Sequence, residues 1–351
     1  MAEWDDLACR LGAPRSAPAC VLAWYRNVLA DDSRIRLVTV HDGEALAGVL
    51  PLYVDRDHWG FVHYRMAGHQ TLVGVEPLLD PDHADDAARL LAEHVHRLRP
   101  VPDVVQLEAV PAAMALLERA SDAWPGRRPR VAATASIAPF LSFPDGGYEE
   151  WVARRAGRTT RESRRSARRL TEAGYTQTVL TDPEEIVRRL PELRRLYLDR
   201  KEARGGWGAS FSPAMLAMIE DLTRALAPLG RATMFTWEQD GTALAAHFVL
   251  TAGGTASGWL GAVGTRETKY SPGSLNVERV VEWAHDEGLC MLDLGPGDEQ
   301  YKDRDSNGAR TIEDAVLRRR DLFPLNTPAA LVPSGVRRAV RSLRERGSRR
   351  V

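Results

Sequence analysis

Two stretches of the chain alternate apolar and polar positions around an Asp-Gly pair. In "RIRLVTVHDGEALAGVLPLYVDR" two strand-like runs flank Asp42-Gly43. Glycine adopts φ > 0 at no steric cost, so the pair predicts a hairpin turn. "RATMFTWEQDGTALAAHFVLTAGGTASGWLGAV" predicts three strands joined at Asp240-Gly241 and Gly253-Gly254. Elsewhere the apolar positions recur at helical spacing. "ACVLAWYRNVLADD" predicts a helical lead-in. "DHADDAARLLAEHVHRLRP" is acidic early and basic late, with Ala88, Leu91, Val95 and Leu98 on one face. "AAMALLERASDAW", "EIVRRLPELRRLYLDRKEARGGW", "PAMLAMIEDLTRALAPLG" and "GSLNVERVVEWAHDEGL" are further helices. "HWGFVHYRMAG", "DVVQLEAVP" and "CMLDLG" read as strands.

The order of elements repeats. "DGEALAG" at Asp42 and "DGTALAA" at Asp240 share five of seven letters. In each half a meander leads to a helix and then a buried strand, with Pro111 and Pro296 as matching landmarks, which sets Glu108 opposite Asp293. The expectation is an α/β (α+β) protein of two related units, each a mixed, largely antiparallel sheet flanked by helices. The predicted boundaries are 1–145, 146–330 and a basic tail at 331–351.

Composition narrows the class. The 351 residues are 44% hydrophobic and 27% charged, with a net charge of −1. That is a globular profile, with no overall field toward nucleic acid. No apolar run reaches the ~18–20 residues of a membrane span. Three scattered cysteines make neither a disulfide framework nor a zinc spacing. His58, His63 and His69 offer no ligand spacing, so no metal is expected. The start "MAEWDDLACRLG" lacks the apolar core of a secretory signal, and a cytoplasmic location is expected. Arginine displaces lysine almost throughout; only Lys201, Lys269 and Lys302 remain.

Candidate chemistry gathers in the second half. In "YSPGSLNVERVVEWA" a Pro-Gly loop opens a helix, and a helix N-terminus attracts phosphate. Ser271, Pro272, Gly273 and Ser274 are therefore candidate donor-binding residues, with Arg266 just before them. Asp293 stands in an apolar strand, where a carboxylate needs a cleft or a partner. It runs into "GPGDEQYKDR", which crowds Gly297, Glu299, Tyr301 and Lys302 at a strand end. An ordinary salt-bridged loop, with Lys302 on Asp298 or Glu299, explains that crowding equally well. His247 lies in the apolar "LAAHFVL", where the first half has Val49. Glu238 and Tyr270 are lesser acid–base candidates. In "TASGWLGAV", Gly258 and Gly261 would tolerate a bulge beside Trp259.

"WVARRAGRTTRESRRSARRL" holds eight arginines between 154 and 169. Arg154, Arg158, Arg161, Arg165 and Arg168 would form one helical stripe. Such a stripe either follows phosphates, with Arg161 and Arg165 at its centre, or is a solvated face paired with Glu149, Glu150, Glu162 and Glu172.

"YSPGSLNVERVVEWAHDEG…LDLGPGDEQYK", together with "DGEALAGVLPLYV", resembles the CelD-like branch of the GNAT acyltransferases, a branch related to the FemABX aminoacyltransferases. The likeness covers roughly residues 20–325. It implies a tandem pair of GNAT-like units with donor binding in the second and a degenerate first. It implies an N-acyltransferase moving an acyl group, most simply from acetyl-CoA, to an amine of a small molecule or polysaccharide precursor. In that setting Asp293, His247, Tyr301 and Lys302 are the catalytic candidates, and Trp259, Gly297, Glu299, Arg161 and Arg165 contact substrate. The usual pyrophosphate loop is not intact: "RETKYSPGSL" offers Arg266 and Gly273 without its spacing. An aminoacyl-tRNA donor is thus the alternative, and a non-catalytic binding protein that retains the fold is the third.

Overall fold

The structure is a computed structural model. It describes all residues except 70, 73, 125–128, 145–146, 156, 204–210, 298–299 and 320–351. The predicted tail at 331–351 lies outside the described residues.

The chain divides into two compact units. One comprises Met1–Leu7, Leu29–Ala138 and Arg310–Val351; the other comprises Ala8–Val28 and Pro139–Ala309. Residues 8–28, expected with the first unit, thus belong to the second, and the chain returns to the first unit at Arg310. An N-terminal helix has no strand partner to betray where it packs, so its allegiance was invisible in the sequence.

In chain order, helices α1 (Ala2–Arg10) and α2 (Pro18–Trp24) precede strands β1 (Ile35–Asp42), β2 (Ala45–Arg56), β3 (Val62–Met66) and the short β4 (Leu78–Leu79). Helix α3 (Ala84–Val95), strand β5 (Val104–Pro111), helix α4 (Leu116–Asp122) and strand β6 (Arg130–Ser142) follow. Next come helices α5 (Gly147–Arg155) and α6 (Arg158–Glu172), strand β7 (Thr176–Leu180), and helices α7 (Pro183–Ala203) and α8 (Pro213–Leu226). Strands β8 (Ala232–Gln239), β9 (Thr242–Ala252) and β10 (Thr255–Val263) form the second meander. Helix α9 (Pro272–Asp286), strand β11 (Met291–Asp293), helix α10 (Gln300–Asp305) and strand β12 (Gly308–Arg318) close the described chain.

The first unit pairs β1-β2-β3 antiparallel, then β3 and β5 parallel, with α3 as the crossover. The second pairs β7-β8-β9-β10 antiparallel, then β10 and β11 parallel, with α9 as the crossover. Each unit therefore carries the same meander–helix–strand order on a mixed, largely antiparallel sheet flanked by helices. The Asp-Gly pairs are turns in both: Gly43 has φ +59° and Gly241 φ +76°.

In the second unit, α9 buries Leu275, Val277, Val280, Val281, Trp283 and Ala284. Val280, Val281, Trp283 and Ala284 share a core with Phe235, Val249, Leu292 and Leu294. Strands β6, β7 and β12 and helix α10 were not expected from the sequence.

Candidate active site

The parallel pair β10–β11 is short. It runs from Thr255–Met291 to Ser257–Asp293 and stops there. Against β9, β10 then slips register: Gly258 faces Val249 and Leu260 faces Phe248, so Trp259 is the extra residue of a bulge. A bulge leaves its backbone groups outside the ladder and re-aims them. The Trp259 ring packs edge-on against Phe248 at 5.9 Å between centroids.

His247 projects from β9 over this irregularity. A side-chain carbon built on Gly258 would lie 2.9 Å from its Nε2, and one on Gly261 3.5 Å from its Cε1. The two glycines thus leave the space the imidazole occupies. His247 also lines a cavity of about 10 Å³ with Gly258, Val277, Val280, Leu292, Leu294 and Tyr301, enough for about one water. Burial, and then the charge of Lys302, push its pKa down to about 4. The imidazole is neutral at pH 7 and has a lone pair to offer.

Asp293 is buried, with both oxygens engaged. Oδ2 accepts from Arg15 Nη2 at 2.5 Å and Oδ1 from the Gly295 N–H at 2.8 Å. Lys302, on α10, is also buried; its Nζ donates to the Gly295 carbonyl at 3.2 Å and the Pro296 carbonyl at 2.8 Å. Tyr301 is half-buried against the core. The expected partners Asp298 and Glu299 lie outside the described residues, as does the substrate role given to Glu299. Gly297 is exposed at φ +141°.

At the far end of β10, a cleft of about 520 Å³ opens between the strand and α9. That is the size of a small-molecule site. Arg200, Val263, Gly264, Thr265, Thr268, Ser271, Gly273 and Ser274 are its walls. Ser271 is the N-cap residue of α9, yet no side chain caps the helix. Pro272, the first residue of α9, is buried. Arg266 is exposed and does not line the cleft, where Arg200 stands instead. One helical turn beyond Gly273 on α9 comes Val277, and six residues before Gly264 on β10 comes Gly258. Both line the small cavity, so cleft and cavity are served by the same helix and strand.

The arginine segment is not one helix. It breaks at Gly157, φ +92°, so Arg154 sits on α5, apart from the stripe on α6. The side chain of Arg158 lies outside the described residues. Arg161, Arg164 and Arg165 are exposed, while Arg168 and Arg169 pair with Glu172. The segment's buried member is Arg155, which binds Asp305 and Glu278 and lies 4.8 Å from the Trp151 ring centroid. Nothing in its sequence context sets Arg155 apart. Arg15, in "APRSAP", and Arg200 were likewise missed. Glu238 is taken by Arg189 at 2.9 Å, and Tyr270 packs with Trp237 and Leu275.

Residues 157–303 match the family model for the acetyltransferase (GNAT) domain. This segment is a GNAT domain. The bulged β10, the α9 crossover and the cleft above it all fall within it. Over nearly the whole chain, the fold is similar to three solved structures. One is the C-terminal domain of a putative lysylphosphatidylglycerol synthetase from Agrobacterium fabrum, 12% identical at TM-score 0.56, covering 90% of each chain. Another is FemX, 10% identical at TM-score 0.57, covering 90% of this chain and 95% of that one. The third is L-PGS from Bacillus licheniformis, 13% identical at TM-score 0.53, covering 90% of each. No curated protein sequence matches the chain. Among the described residues, no His/Cys/Asp/Glu group could hold a metal, and no helix is long and apolar enough to cross a membrane.

Proposed function

We propose that the GNAT domain transfers a short acyl group from an acyl-CoA, most simply acetyl-CoA, to an amine of a small molecule or polysaccharide precursor. The observation that carries this reading is the cleft at the uncapped α9 N-terminus, with the bulge at Trp259 further back on the same strand. Phosphates of the donor meet the helix N-terminus and Arg200 in the cleft. The thioester carbonyl reaches the bulge, where a backbone N–H freed from the ladder stabilises the developing oxyanion. The amine nitrogen attacks that carbonyl, forming C–N. His247 takes the proton shed by the adduct, directly or through the single water its cavity can hold. The C–S bond breaks, and the Tyr301 hydroxyl protonates the leaving thiolate. Asp293 does not serve as the base in this reading, because both of its oxygens are already bonded.

Acetyl-CoA at about 100 times its Kd is expected to raise stability by about 2.7 kcal/mol. Incubation with a library of amines should then yield acetylated products by intact mass. Absence of any thermal shift with acyl-CoA donors would favour a non-catalytic binding role. Lys302→Ala should remove transfer, because the Gly295 and Pro296 carbonyls lose their donor and the turn relaxes. Full activity in Lys302→Ala would overturn the site.

One observation favours an aminoacyl-tRNA donor instead. Helix α6 packs through Ala167 in one cluster with Tyr270, which adjoins Ser271 of the cleft, and turns Arg161, Arg164 and Arg165 outward. A gel shift with bulk tRNA at low salt decides: no binding sinks that alternative.

A further inference from the structure

The GNAT match begins at residue 157, yet a buried contact of its site comes from residue 15. After α1 the chain turns at Gly12, φ +61°, where a side chain would sit 2.3 Å from Thr255 Oγ1 of β10. A side chain on Gly253, φ +55°, in the β9–β10 turn would likewise sit 2.1 Å from the Cys9 carbonyl oxygen. Both approaches need glycine, and together they seat this segment on the end of the meander. A short turn, Pro14–Ser16, then places Arg15 inside, only 6% exposed. Its guanidinium binds Asp293 and lies 3.8 Å from where a side chain on Gly295 would begin. Gly295 itself has φ +71°, a conformation that its N–H bond to Asp293 helps hold. In that conformation its carbonyl, with that of Pro296, receives the Lys302 ammonium.

We propose that Arg15 is a positioning residue of the site: through Asp293 it fixes the Gly-Pro-Gly turn that holds the Lys302 ammonium where its charge acts on His247. Residues 157–303 alone are then an incomplete site. The catalytic half of the inference rests on the acyl-transfer reading above; the geometric half does not.

The electrostatic consequence can be read without any substrate. Among the described residues, the groups facing His247 are few. Strand β10 presents Gly258 and Gly261, and α9 presents Val277 and Val280, none of them charged. Strand β11 presents Leu292, while the carboxylate of its neighbour Asp293 is taken by Arg15, and α10 contributes Tyr301 and Lys302. Lys302 is therefore the charge that movement of the turn would change.

The test is a carbon-13 titration of the His247 imidazole in the full chain. Arg15→Met and Lys302→Met are each expected to raise its midpoint by about one unit. The double variant should rise no further than Lys302→Met alone, because Arg15 acts through that lysine. Arg15→Lys, which keeps the charge, should recover most of the wild-type midpoint. Should Arg15→Met fail to fold, Asp293→Asn decides instead: it keeps an oxygen for Gly295 but loses the ion pair, and its midpoint should rise. An unmoved midpoint in the folded variants, or additive shifts in the double variant, overturns the proposal. In the transfer assay, Arg15→Met should lower kcat roughly tenfold while donor KM stays within about twofold. If the wild type transfers nothing but the midpoints move as described, the acyl-transfer reading fails and the positioning role stands.

Discussion

Replacing Arg155 by methionine is expected to destabilise the second unit by about 3 kcal/mol. Arg155 is 5% exposed and holds two carboxylates at once, Asp305 on α10 and Glu278 on α9. Methionine fills the space of the arginine stem but leaves both acids without that donor. The cost sits at the lower end of the range for broken buried pairs, about 3–5 kcal/mol, because each acid keeps one partner. Asp305 keeps Arg304 at 2.8 Å, and Glu278 keeps the Ser163 hydroxyl at 2.7 Å. The deficit should also depend on pH. Burial raises the Glu278 pKa above its usual 4.5, and Arg155 opposes that rise. Without Arg155 the folded-state pKa climbs further, so the folded variant binds a proton that the unfolded chain does not. Stability then falls as pH rises through that folded value. The part of the deficit owed to Glu278 should accordingly be complete at neutral pH, shrink as pH falls through the raised pKa, and vanish below about 4.5. Urea unfolding of both proteins across that range measures it. A deficit under about 1 kcal/mol at pH 7 would mean that the triad is not what holds α10 in place.

The second meander, α9 and β11 were legible because their signals are local. Alternation, Asp-Gly turns and an apolar helical face need no knowledge of distant residues. The repeat was legible for the same reason, since each unit restates the same short signals in the same order. The strands β6, β7 and β12 were not, because each takes its partner from far along the chain, and their own patterns are weak. "VAATASIAPFLS" is mostly small residues, and "ARTIEDAVLR" mixes charges into its alternation. In the site, Asp293 was found as an anomaly, a carboxylate in an apolar strand, and the demand for a partner was sound. The partner could not be named: Arg15 is one of many arginines in an arginine-rich chain, 278 positions away. The scarcity of lysine did single out Lys302, which proves buried. The continuous arginine stripe failed at Gly157, where a left-handed residue ends one helix before the next begins.

Gly258→Ala is expected to lower acyl transfer by roughly 10²-fold, the scale of a reacting group misplaced by about 1 Å. Gly261→Ala should leave the rate within about twofold. Both glycines underlie the same imidazole, so the contrast isolates geometry from chemistry. A methyl on Gly258 would begin 2.9 Å from Nε2 of His247, inside van der Waals contact, and the ring would have to swing away. A methyl on Gly261 would meet Cε1 at 3.5 Å, an ordinary contact. The clash falls on the end of a side chain rather than on backbone, so the fold should survive in both variants, and melting temperature serves as the control. The bulge is the reason the two positions differ. Gly258, paired with Val249 just before the extra residue Trp259, lies under the imidazole nitrogen, while Gly261, past the bulge, is directly across from His247. Parallel steady-state rates with acetyl-CoA and any accepted amine decide the matter. Equal losses in both variants would point to a general disturbance of β10. Full activity in Gly258→Ala would remove His247 from the reacting atoms, because the methyl begins 2.9 Å from Nε2 in its present position.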